Sequence, residues 1–404
     1  MTIFYVIFLL LTAYYSFRFD GIEEYNPKKE HRLWLMCAYL VCLSGFSYGL
    51  GGDKFTYMEE FEQYPHDFSE TGTYIWMQFM EGGQMPLWTI TNIACKVFFD
   101  SFYAVQLLES LAINIAVCYI VSKYTHRYFL FLLLYFLSLQ YFIFNTEIMR
   151  EGFSIACMLI GIDGYLNNKK WLFWVALPIA VLFHISALIT LLIPLSRFRI
   201  SWLTLGIAFL VALFAWKFCD LLLTQVVTAV LGGKGAMVAK IVVYSLQTSN
   251  FFGFLRLVLT FLVLPFIIMY SVYLVEISEE KKKVLGKLIA FLILLGIIAS
   301  AMAGFTRFYN YVQIYYLIAL SEFIFLLFSY KEHFIIRIGT LTGTVFFVML
   351  TYFTHYDSTQ TYFYQFYYPY TCILDEDKSV YIREITHMES VTVEVRDDNV
   401  REIE

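Results

Sequence analysis

The residues best suited to chemistry lie at the head of an apolar segment, where the chain reads NTEIMREGF. Glu147, Arg150 and Glu151 fall close together there, and His184 lies inside the next apolar segment. An ionisable side chain within a bilayer costs several kcal/mol unless it faces a protein-lined, water-filled cavity. These residues are therefore the first candidates for a functional site.

Arg150 begins a predicted helix at its outer end. A guanidinium is charged at any working pH and binds phosphate oxygens in pairs, and a helix N-terminus adds backbone amides that favour an anion. The alternative is an interfacial arginine that pairs with Glu147 or Glu151. Because arginine is commoner at the inner ends of membrane helices, the sequence favours the phosphate-binding interpretation.

Two further arginines fall on the same predicted face. Arg307 lies between two apolar spans in GFTRFYNY, and Arg256 lies early in the preceding span in NFFGFLRLV. A lipid-linked pyrophosphate needs such a cluster, since its charges must be neutralised at the edge of a low-dielectric medium. A purely structural role is an equally good interpretation of Arg256.

Three residues could carry a proton. Asp53 follows glycines where the second helix leaves the membrane, and a carboxylate there could act as general base to a sugar hydroxyl. Glu151 and His184 are the other candidates, although His184 could equally be a core histidine and Asp53 a loop residue. No carboxylate pair or His/Asp cluster has the spacing of metal ligands, so we expect neither a metal nor another cofactor.

The composition indicates what must position these residues. Of the 404 residues, 60% are hydrophobic and 15% are charged, and the mean hydropathy is +0.65. A soluble domain is less apolar and more charged, so we expect an all-α integral membrane protein with no separate soluble enzyme domain. The net charge is −5: an acidic tail after residue 374 carries −6 and the rest of the chain +1, and nothing supports nucleic-acid binding.

The hydropathy pattern predicts about 11–12 transmembrane helices. The candidate spans are 1–17, 33–50, 102–121, 128–144, 148–166, 171–195, 201–217, 252–276, 285–304, 308–329 and 334–354. Lysine and arginine cluster in alternate loops, which the positive-inside rule assigns to the cytoplasm. The N-terminus then faces outward. We expect a membrane domain over residues 1–371, with outward loops at 51–101, 218–250 and 352–371, followed by a polar tail at 372–404.

One span conflicts with this charge pattern. Lys170 and Lys281 both belong inside, which requires an even number of crossings between them, yet three spans are evident. A break of the span 171–195 near His184, or an extra crossing within 218–245, would resolve the conflict. We favour the break, because Arg197 and Arg199 also belong on the cytoplasmic side. Half-helices are tolerated only where they line a protein cavity. His184 would then lie at an outward-facing apex.

Four short motifs occur along the chain. They are G-x-D followed by a tyrosine (Gly51, Asp53, Tyr57), M-R-x-G (Met149, Arg150, Gly152), F-H-x-S-A-L (Phe183 to Leu188) and R-x-Y-x-Y (Arg307, Tyr309, Tyr311). In order and spacing, over about residues 1 to 370, the chain resembles the Wzy-type bacterial polysaccharide polymerases of the EpsG branch. Glu151 departs from the pattern, since glutamine is common after the arginine, and the acidic tail is longer than usual.

The resemblance implies a GT-C-like, metal-independent glycosyltransferase in the bacterial cytoplasmic membrane. It would polymerise oligosaccharide repeat units carried on undecaprenyl pyrophosphate at the outer face, for a capsule, an O-antigen or an exopolysaccharide. The implied partners are this lipid-linked oligosaccharide and the bilayer, and a chain-length regulator protein is a further candidate partner. Arg150 and Arg307 would bind pyrophosphate, and Asp53 and His184 would lie in the substrate cavity.

The tyrosines of the motifs, Tyr57, Tyr309 and Tyr311, are candidates for substrate binding beside the arginines. Two other functions fit part of the pattern. A flippase or transporter of lipid-linked oligosaccharide would show inverted repeats and charges through the full membrane depth, and neither is visible. A membrane O-acyltransferase of polysaccharide would need a histidine close to a serine or a carboxylate, which His184 leaves open.

Overall fold

A computed structural model describes residues 3–80, 85–196, 198–231, 250–275, 279–329, 339, 342–343, 355–356 and 361–374. The chain up to residue 166 forms nine α-helices, the eighth of which ends in a π-helical turn. They are α1 (Ile3–Phe19), α2 (Pro27–Gly45), α3 (Lys54–Gln63), α4 (Thr71–Met80), α5 (Pro86–Phe99), α6 (Phe102–Tyr124), α7 (Tyr128–Leu137), α8 (Gln140–Glu147) and α9 (Met149–Leu166).

The rest of the described chain is also helical apart from one two-stranded ladder. The helices are α10 (Lys170–Phe183), α11 (Leu192–Leu195), α12 (Trp202–Leu231), α13 (Phe251–Val275), α14 (Glu279–Ala301), α15 (Asn310–Ser329) and α16 (Phe363–Tyr367). Two 3-10 helices precede α11 and α15, at Ile185–Leu191 and Ala303–Tyr309. Strands β1 (His355–Tyr356) and β2 (Thr361–Tyr362) pair antiparallel.

These elements form two compact units. The first comprises the described residues of Met1–Thr71, Thr89–Phe153 and Leu327–Glu404; the second comprises those of Gly72–Trp88 and Ser154–Leu326. Helix α9 therefore begins in the first unit and continues into the second. The candidate residues divide between the units, so we describe each unit by itself.

The core of the first unit is the packing of α2 on α6, which is held by buried polar side chains. The Ser44 hydroxyl hydrogen-bonds the Ser110 hydroxyl and donates to Asn145 Oδ1 at 2.9 Å. The Asn114 amide donates to the same Asn145 oxygen at 2.7 Å. A buried polar group must be hydrogen-bonded to be tolerated, so this network fixes the π-helical turn of α8 against α2 and α6.

The segment after α16 closes the first unit. The Tyr48 amide donates to Thr371 O at 3.0 Å, and the Ile373 amide donates to Phe46 O at 3.0 Å. Ser47 and Cys372 form an antiparallel bridge between these two pairs. The exit of α2 and the tyrosine-rich segment near residue 370, which the sequence assigned to outward loops, are thus joined by backbone hydrogen bonds.

In the second unit, α14 is the central helix and packs against α12, α13 and the 3-10 helix Ala303–Tyr309. A Cβ added at Gly296 would lie 2.6 Å from the Phe261 carbonyl oxygen. This glycine therefore allows α13 and α14 to approach at the π-helical turn of α13.

By length and composition, four helices of the described residues could cross a membrane. They are Phe102–Tyr124, Phe251–Val275, Glu279–Ala301 and Gly304–Ser329, and the bent pair formed by α7 and α8 would make a fifth. Shorter apolar helices occur at Ile3–Phe19, Lys170–Phe183, Ile185–Leu195 and Trp202–Phe218. The chain is therefore an α-helical membrane protein with several crossings. The total of 11–12 stays a prediction, and the span 334–354 lies largely outside the described residues.

The break predicted near His184 is confirmed. Helix α10 ends at Phe183, and His184 adopts an extended conformation with φ −156° and ψ 127° before the 3-10 helix begins. The imidazole Nδ1 accepts the Ser186 backbone N–H at 3.3 Å, so His184 caps the element that follows it. The re-entrant arrangement inferred from this break stays a prediction.

Three sequence expectations differ from the structure. The sequence predicts one span over 128–144, and the structure bends it by 78° between α7 and α8, where Leu139 adopts a left-handed φ of +61°. The segment MPLWTITNIACKVFF predicts an interfacial helix with Lys96 on its polar face, yet Lys96 is buried and donates to the carbonyls of Phe61 and Glu62 at 2.9 and 2.8 Å. Helix α12 continues to Leu231, so the predicted loop 218–250 begins as helix.

Candidate functional site

A buried carboxylate organises the candidate residues of the first unit. Glu147 is only 8% exposed, and its carboxylate accepts the Gly52 N–H at 2.9 Å, the Asp53 N–H at 3.2 Å and the Tyr367 hydroxyl at 2.8 Å. Hydrogen bonds to a charged acceptor are roughly twice as strong as neutral ones. Glu147 therefore ties the turn at Asp53 to the segment that contains Tyr367.

The turn before Asp53 requires glycine. Gly51 has a φ of +89°, and a Cβ on it would lie 2.7 Å from Thr146 Oγ1 and 3.1 Å from a Glu147 carboxylate oxygen. Its amide donates to Phe366 O at 3.0 Å. Only a residue without a side chain can bring this turn so close to Glu147.

Arg150 occupies the first turn of α9 and lies against Tyr57. Its guanidinium carbon is 5.2 Å from the centre of the Tyr57 ring, a cation–π geometry. The Tyr57 hydroxyl donates to the Glu147 backbone carbonyl at 3.2 Å, and the charge of Glu60 also acts on Arg150. We call Asp53, Tyr57, Glu147, Arg150 and Tyr367 the Glu147 cluster.

The structure decides one alternative for Glu147. The sequence allowed it to pair with Arg150, but among the described residues its carboxylate accepts only from Gly52, Asp53 and Tyr367. Arg150 is instead held over the Tyr57 ring at the N-terminus of α9. The ring holds the guanidinium in place, and the charge of Glu60 acts on it as well.

Burial explains the chemistry of Tyr57. The side chain is 4% exposed, and this desolvation raises the pKa of its phenol above the ordinary value of 10. The hydroxyl therefore stays protonated at neutral pH and serves as a donor. This residue positions its neighbours and does not supply a phenolate base.

The two candidate carboxylate bases in this unit differ in accessibility. Asp53 is exposed, and its side chain makes no capping hydrogen bond to α3, which it precedes. Glu151 is 2% exposed and lies inside the first turn of α9. A base must reach the proton that it abstracts, so the geometry favours Asp53 over Glu151.

Helix α9 begins against a second buried acid. Glu109 on α6 is fully buried, and neither of its oxygens has a hydrogen-bond partner among the described residues. Its carboxyl lies where a Cβ on Gly152 would be, so only glycine fits at this position of the M-R-x-G motif. The motif glycine thus has a packing explanation next to Arg150.

In the second unit, a chain of hydroxyl groups extends from the candidate histidine. His184 Nδ1 lies 2.5 Å from the Ser186 hydroxyl, which hydrogen-bonds the Tyr311 hydroxyl at 2.8 Å. Tyr311 also hydrogen-bonds Ser154 on α9 at 3.0 Å. We call these four residues the His184 chain. It joins the F-H-x-S-A-L motif to the R-x-Y-x-Y motif, and it fixes the orientation of the imidazole.

The remaining candidates also belong to the second unit. Arg256 and Arg307 are exposed, whereas Tyr309 is 3% exposed and its ring lies 5.2 Å from that of Phe261. Tyr309 thus contributes to packing of the 3-10 helix against α13. Among the described residues, no group of three His, Cys, Asp or Glu side chains is arranged to hold a metal ion.

Sequence reasoning missed Glu147 as an organiser, and it missed Tyr367, Ser186 and Ser154. The signal for Ser186 was present, since it is the serine of the F-H-x-S-A-L motif. The partners of Glu147 lie 95 and 220 positions away along the chain. No local pattern could have identified them.

Comparison with known proteins identifies the family of the chain. No curated protein and no solved structure matches the chain significantly. The sequence model of the EpsG family matches residues 33–372, which include all four motifs and both clusters. The chain therefore belongs to the EpsG family of Wzy/EpsG-type polysaccharide polymerases.

Proposed function

We propose that this protein polymerises oligosaccharide repeat units carried on undecaprenyl pyrophosphate at the outer face of the cytoplasmic membrane. The observation that carries the proposal is the position of Arg150. Its guanidinium is held over Tyr57 at the N-terminus of α9, and the charge of the exposed Asp53 acts on the same Tyr57 phenol. A fixed cation and helix amides beside an accessible carboxylate suit a reaction in which a diphosphate leaves and a hydroxyl loses its proton.

The reaction would be a glycosyl transfer. The terminal hydroxyl of one lipid-linked chain attacks the anomeric carbon of another, the bond from that carbon to the diphosphate oxygen breaks, and undecaprenyl pyrophosphate leaves. Asp53 takes the hydroxyl proton. Arg150 stabilises the charge that develops on the leaving diphosphate, as preorganised donors do in other active sites.

His184 is the alternative proton acceptor. Its Nδ1 lies 2.5 Å from the Ser186 hydroxyl and accepts the Ser186 N–H at 3.3 Å. The His184 chain would hold the imidazole in one orientation, as second groups do for catalytic histidines in general. Asp53 is preferred because it is exposed, whereas His184 is only partly so.

The test is reconstitution of the purified protein with lipid-linked repeat units. We expect a ladder of lengthened chains, and we expect Arg150→Ala to abolish it. Arg32→Ala is the matched control, because Arg32 also lies over a tyrosine ring, with its guanidinium carbon 5.7 Å from the centre of Tyr15, but belongs to a predicted cytoplasmic loop. A ladder that survives Arg150→Ala, or that fails equally in both variants, would contradict the assignment.

A second function is favoured by one distance. The separation of 2.5 Å between His184 Nδ1 and the Ser186 hydroxyl is that of a base and a nucleophile, as an acyltransferase would use. However, Ser186 is 6% exposed, and its N–H bonds the same nitrogen, which is a local capping arrangement. Mass analysis of the product distinguishes acylated sugars from lengthened chains.

A further inference from the structure

A cleft in the second unit lies apart from every residue assigned above. It has a volume of about 760 Å³, and it is formed by Ser196, residues 198–200, the end of α13 and the first turns of α14. The positive-inside pattern predicts that this end of the helices faces the cytoplasm, opposite to the face proposed for polymerisation. The cleft therefore needs its own explanation.

The lining of the cleft is strongly basic. Among the described lining residues, Arg199, Lys282, Lys283 and Lys287 face one acid, Glu279, so these residues carry a formal charge of +3 (four cations minus one anion). Glu279 lies 3.9 Å from Lys282 and is 91% exposed, so this pair neutralises little of the charge. The Arg199 and Lys283 side chains make no hydrogen bond or ion pair with residues that the structure describes.

The opposite wall is aromatic and continues into an apolar surface. Tyr270 and Tyr273 stack with ring centres 5.9 Å apart and line the cleft. Trp202 packs edge-on against Tyr270 at 5.6 Å and is 59% exposed. Leu274 and Val275, which follow on α13, are 62% and 56% exposed. A charged recess with an apolar rim matches a ligand that has an anionic head and a hydrocarbon tail.

We propose that this cleft binds the phosphodiester headgroup of an anionic membrane lipid from the cytoplasmic leaflet. Lysine and arginine supply the charge, the tyrosine hydroxyls can donate to phosphate oxygens, and the acyl chains extend along Leu274, Val275 and Trp202. A basic loop whose only role is to orient the protein in the membrane would need neither a cleft nor aromatic side chains beside it. Free phosphate shares the headgroup chemistry but would gain nothing from the apolar rim.

The test is lipid binding by the full-length protein, purified in detergent and studied by native mass spectrometry. We expect phosphatidylglycerol to remain bound under conditions that strip phosphatidylcholine. The variant Lys282→Gln/Lys283→Gln/Lys287→Gln should weaken phosphatidylglycerol binding by up to about 100-fold, because each juxtamembrane basic residue contributes about 1 kcal/mol and each 1.4 kcal/mol is a factor of ten. Inorganic phosphate at millimolar concentration should not displace the lipid.

The matched control is Lys169→Gln/Lys170→Gln/Lys281→Gln, which removes three exposed lysines from predicted cytoplasmic loops without touching the cleft. Equal loss in both triple variants would overturn the proposal, since any surface charge would then suffice. So would equal retention of the two lipids, or displacement by inorganic phosphate alone.

A second variant tests the cleft without altering its charge. Gly286 lines it, and a Cβ there would meet Ile200 and Tyr273 only at 3.6 and 3.7 Å, so a side chain is tolerated. Gly286→Leu should fill the recess and lower phosphatidylglycerol binding, while Gly286→Ala should leave it near wild type. Unchanged binding in a folded Gly286→Leu protein would contradict the location of the site. Neither result depends on whether the protein polymerises sugar.

Discussion

The Glu147 cluster and the His184 chain hold their reactive groups by different means. In the Glu147 cluster a charged carboxylate receives two backbone amides and one phenol, and a guanidinium lies over an aromatic ring. In the His184 chain an imidazole is followed by three hydroxyl groups, and no permanent charge takes part. The first arrangement therefore suits binding of a charged leaving group, and the second suits orientation of a neutral ring.

This difference predicts unequal sensitivity to substitution. A charged hydrogen-bond partner removed from a buried site leaves an unsatisfied group behind, whereas a neutral hydroxyl removed from a chain costs about 1 kcal/mol. Variants of the Glu147 cluster should thus lower polymerisation much more than variants of the His184 chain. If the two sets had equal effects, the division of roles between the clusters would be wrong.

The largest effect is expected from Arg150. Arg150→Ala removes the fixed cation, and loss of one preorganised charge-stabilising donor typically lowers a rate by about 10²–10³-fold. Arg150→Lys should recover only part of the rate, because an ammonium cannot bind two phosphate oxygens in the planar geometry of a guanidinium. The measurement is the initial rate of chain lengthening, with thermal unfolding of each variant as the control for folding.

The next effect concerns Glu147. Glu147→Gln keeps the shape but loses the charge that holds Gly52 and Asp53, and we expect a loss of about 10-fold to 100-fold in rate, as for a misplaced catalytic group. Tyr367→Phe removes one of the three hydrogen bonds of the Glu147 carboxylate. It should lower the stability by about 1 kcal/mol and lower the rate less than Glu147→Gln does. A Glu147→Gln protein with the wild-type rate would show that the turn at Asp53 does not need this anchor.

A smaller effect is expected in the His184 chain. Tyr311→Phe removes the hydroxyl that links Ser186 to Ser154, and a neutral hydrogen bond of about 1 kcal/mol corresponds to roughly a fivefold lower rate. Ser154→Ala removes only the outer link and should change the rate less. A loss from Tyr311→Phe as large as that from Arg150→Ala would move the catalytic centre to the second unit.

The smallest effect on activity is expected at Asp20, which lies in the first unit on the predicted cytoplasmic side. Its carboxylate accepts the N–H groups of Phe129 and Leu130 at the start of α7, at 3.2 and 2.7 Å. Burial nevertheless raises the pKa of Asp20 from 3.8 to about 6. The folded state therefore prefers the protonated acid, and the stability that this preference contributes is present below pH 3.8 and lost as the pH rises through 6.

Asp20→Asn tests this linkage. The amide is neutral, as the protonated acid is, and keeps one acceptor oxygen where the carboxylate offers one each to Phe129 and Leu130. The variant should be close to the wild type near pH 4 and unfold at a higher temperature at pH 7. The difference is at most about 3 kcal/mol, at 1.36 kcal/mol for each pKa unit. Chain lengthening at neutral pH should be unchanged. A lower unfolding temperature at pH 7 would show that the hydrogen bonds of the charged form outweigh its desolvation.

The sequence predicted those parts of the fold that depend on local patterns. The helix starts near Phe102 and Met149 follow from hydropathy, and the break at His184 follows from the parity of charged loops. The bend at Leu139 could not be predicted, because the apolar run around it contains neither glycine nor proline. Lys96 was misplaced because its acceptors are carbonyls at the end of α3, more than thirty positions earlier in the chain.

In the candidate site, too, local patterns predicted some residues and long-range packing decided the others. Arg150, Asp53 and His184 were recognisable as polar groups where a bilayer should exclude them, and their roles remain predictions. Glu147 was visible as a residue but not as an anchor, since its function arises from the approach of the turn at Gly51 and of the segment at Tyr367. Contacts of such long range are properties of the packed chain, and periodicity does not encode them.

The bond between Glu147 and Tyr367 also has a consequence for biosynthesis. Tyr367 emerges from the ribosome 220 residues after Glu147, and the backbone bonds that join residues 46–51 to 366–373 cannot form before then. Until that point the turn at Asp53 lacks the hydrogen bond from Gly51 N–H to Phe366 O. A partly synthesised chain, already inserted through its earlier helices, would thus be unable to present the complete cluster. The order of translation would keep the nascent protein inactive until its membrane portion is nearly finished.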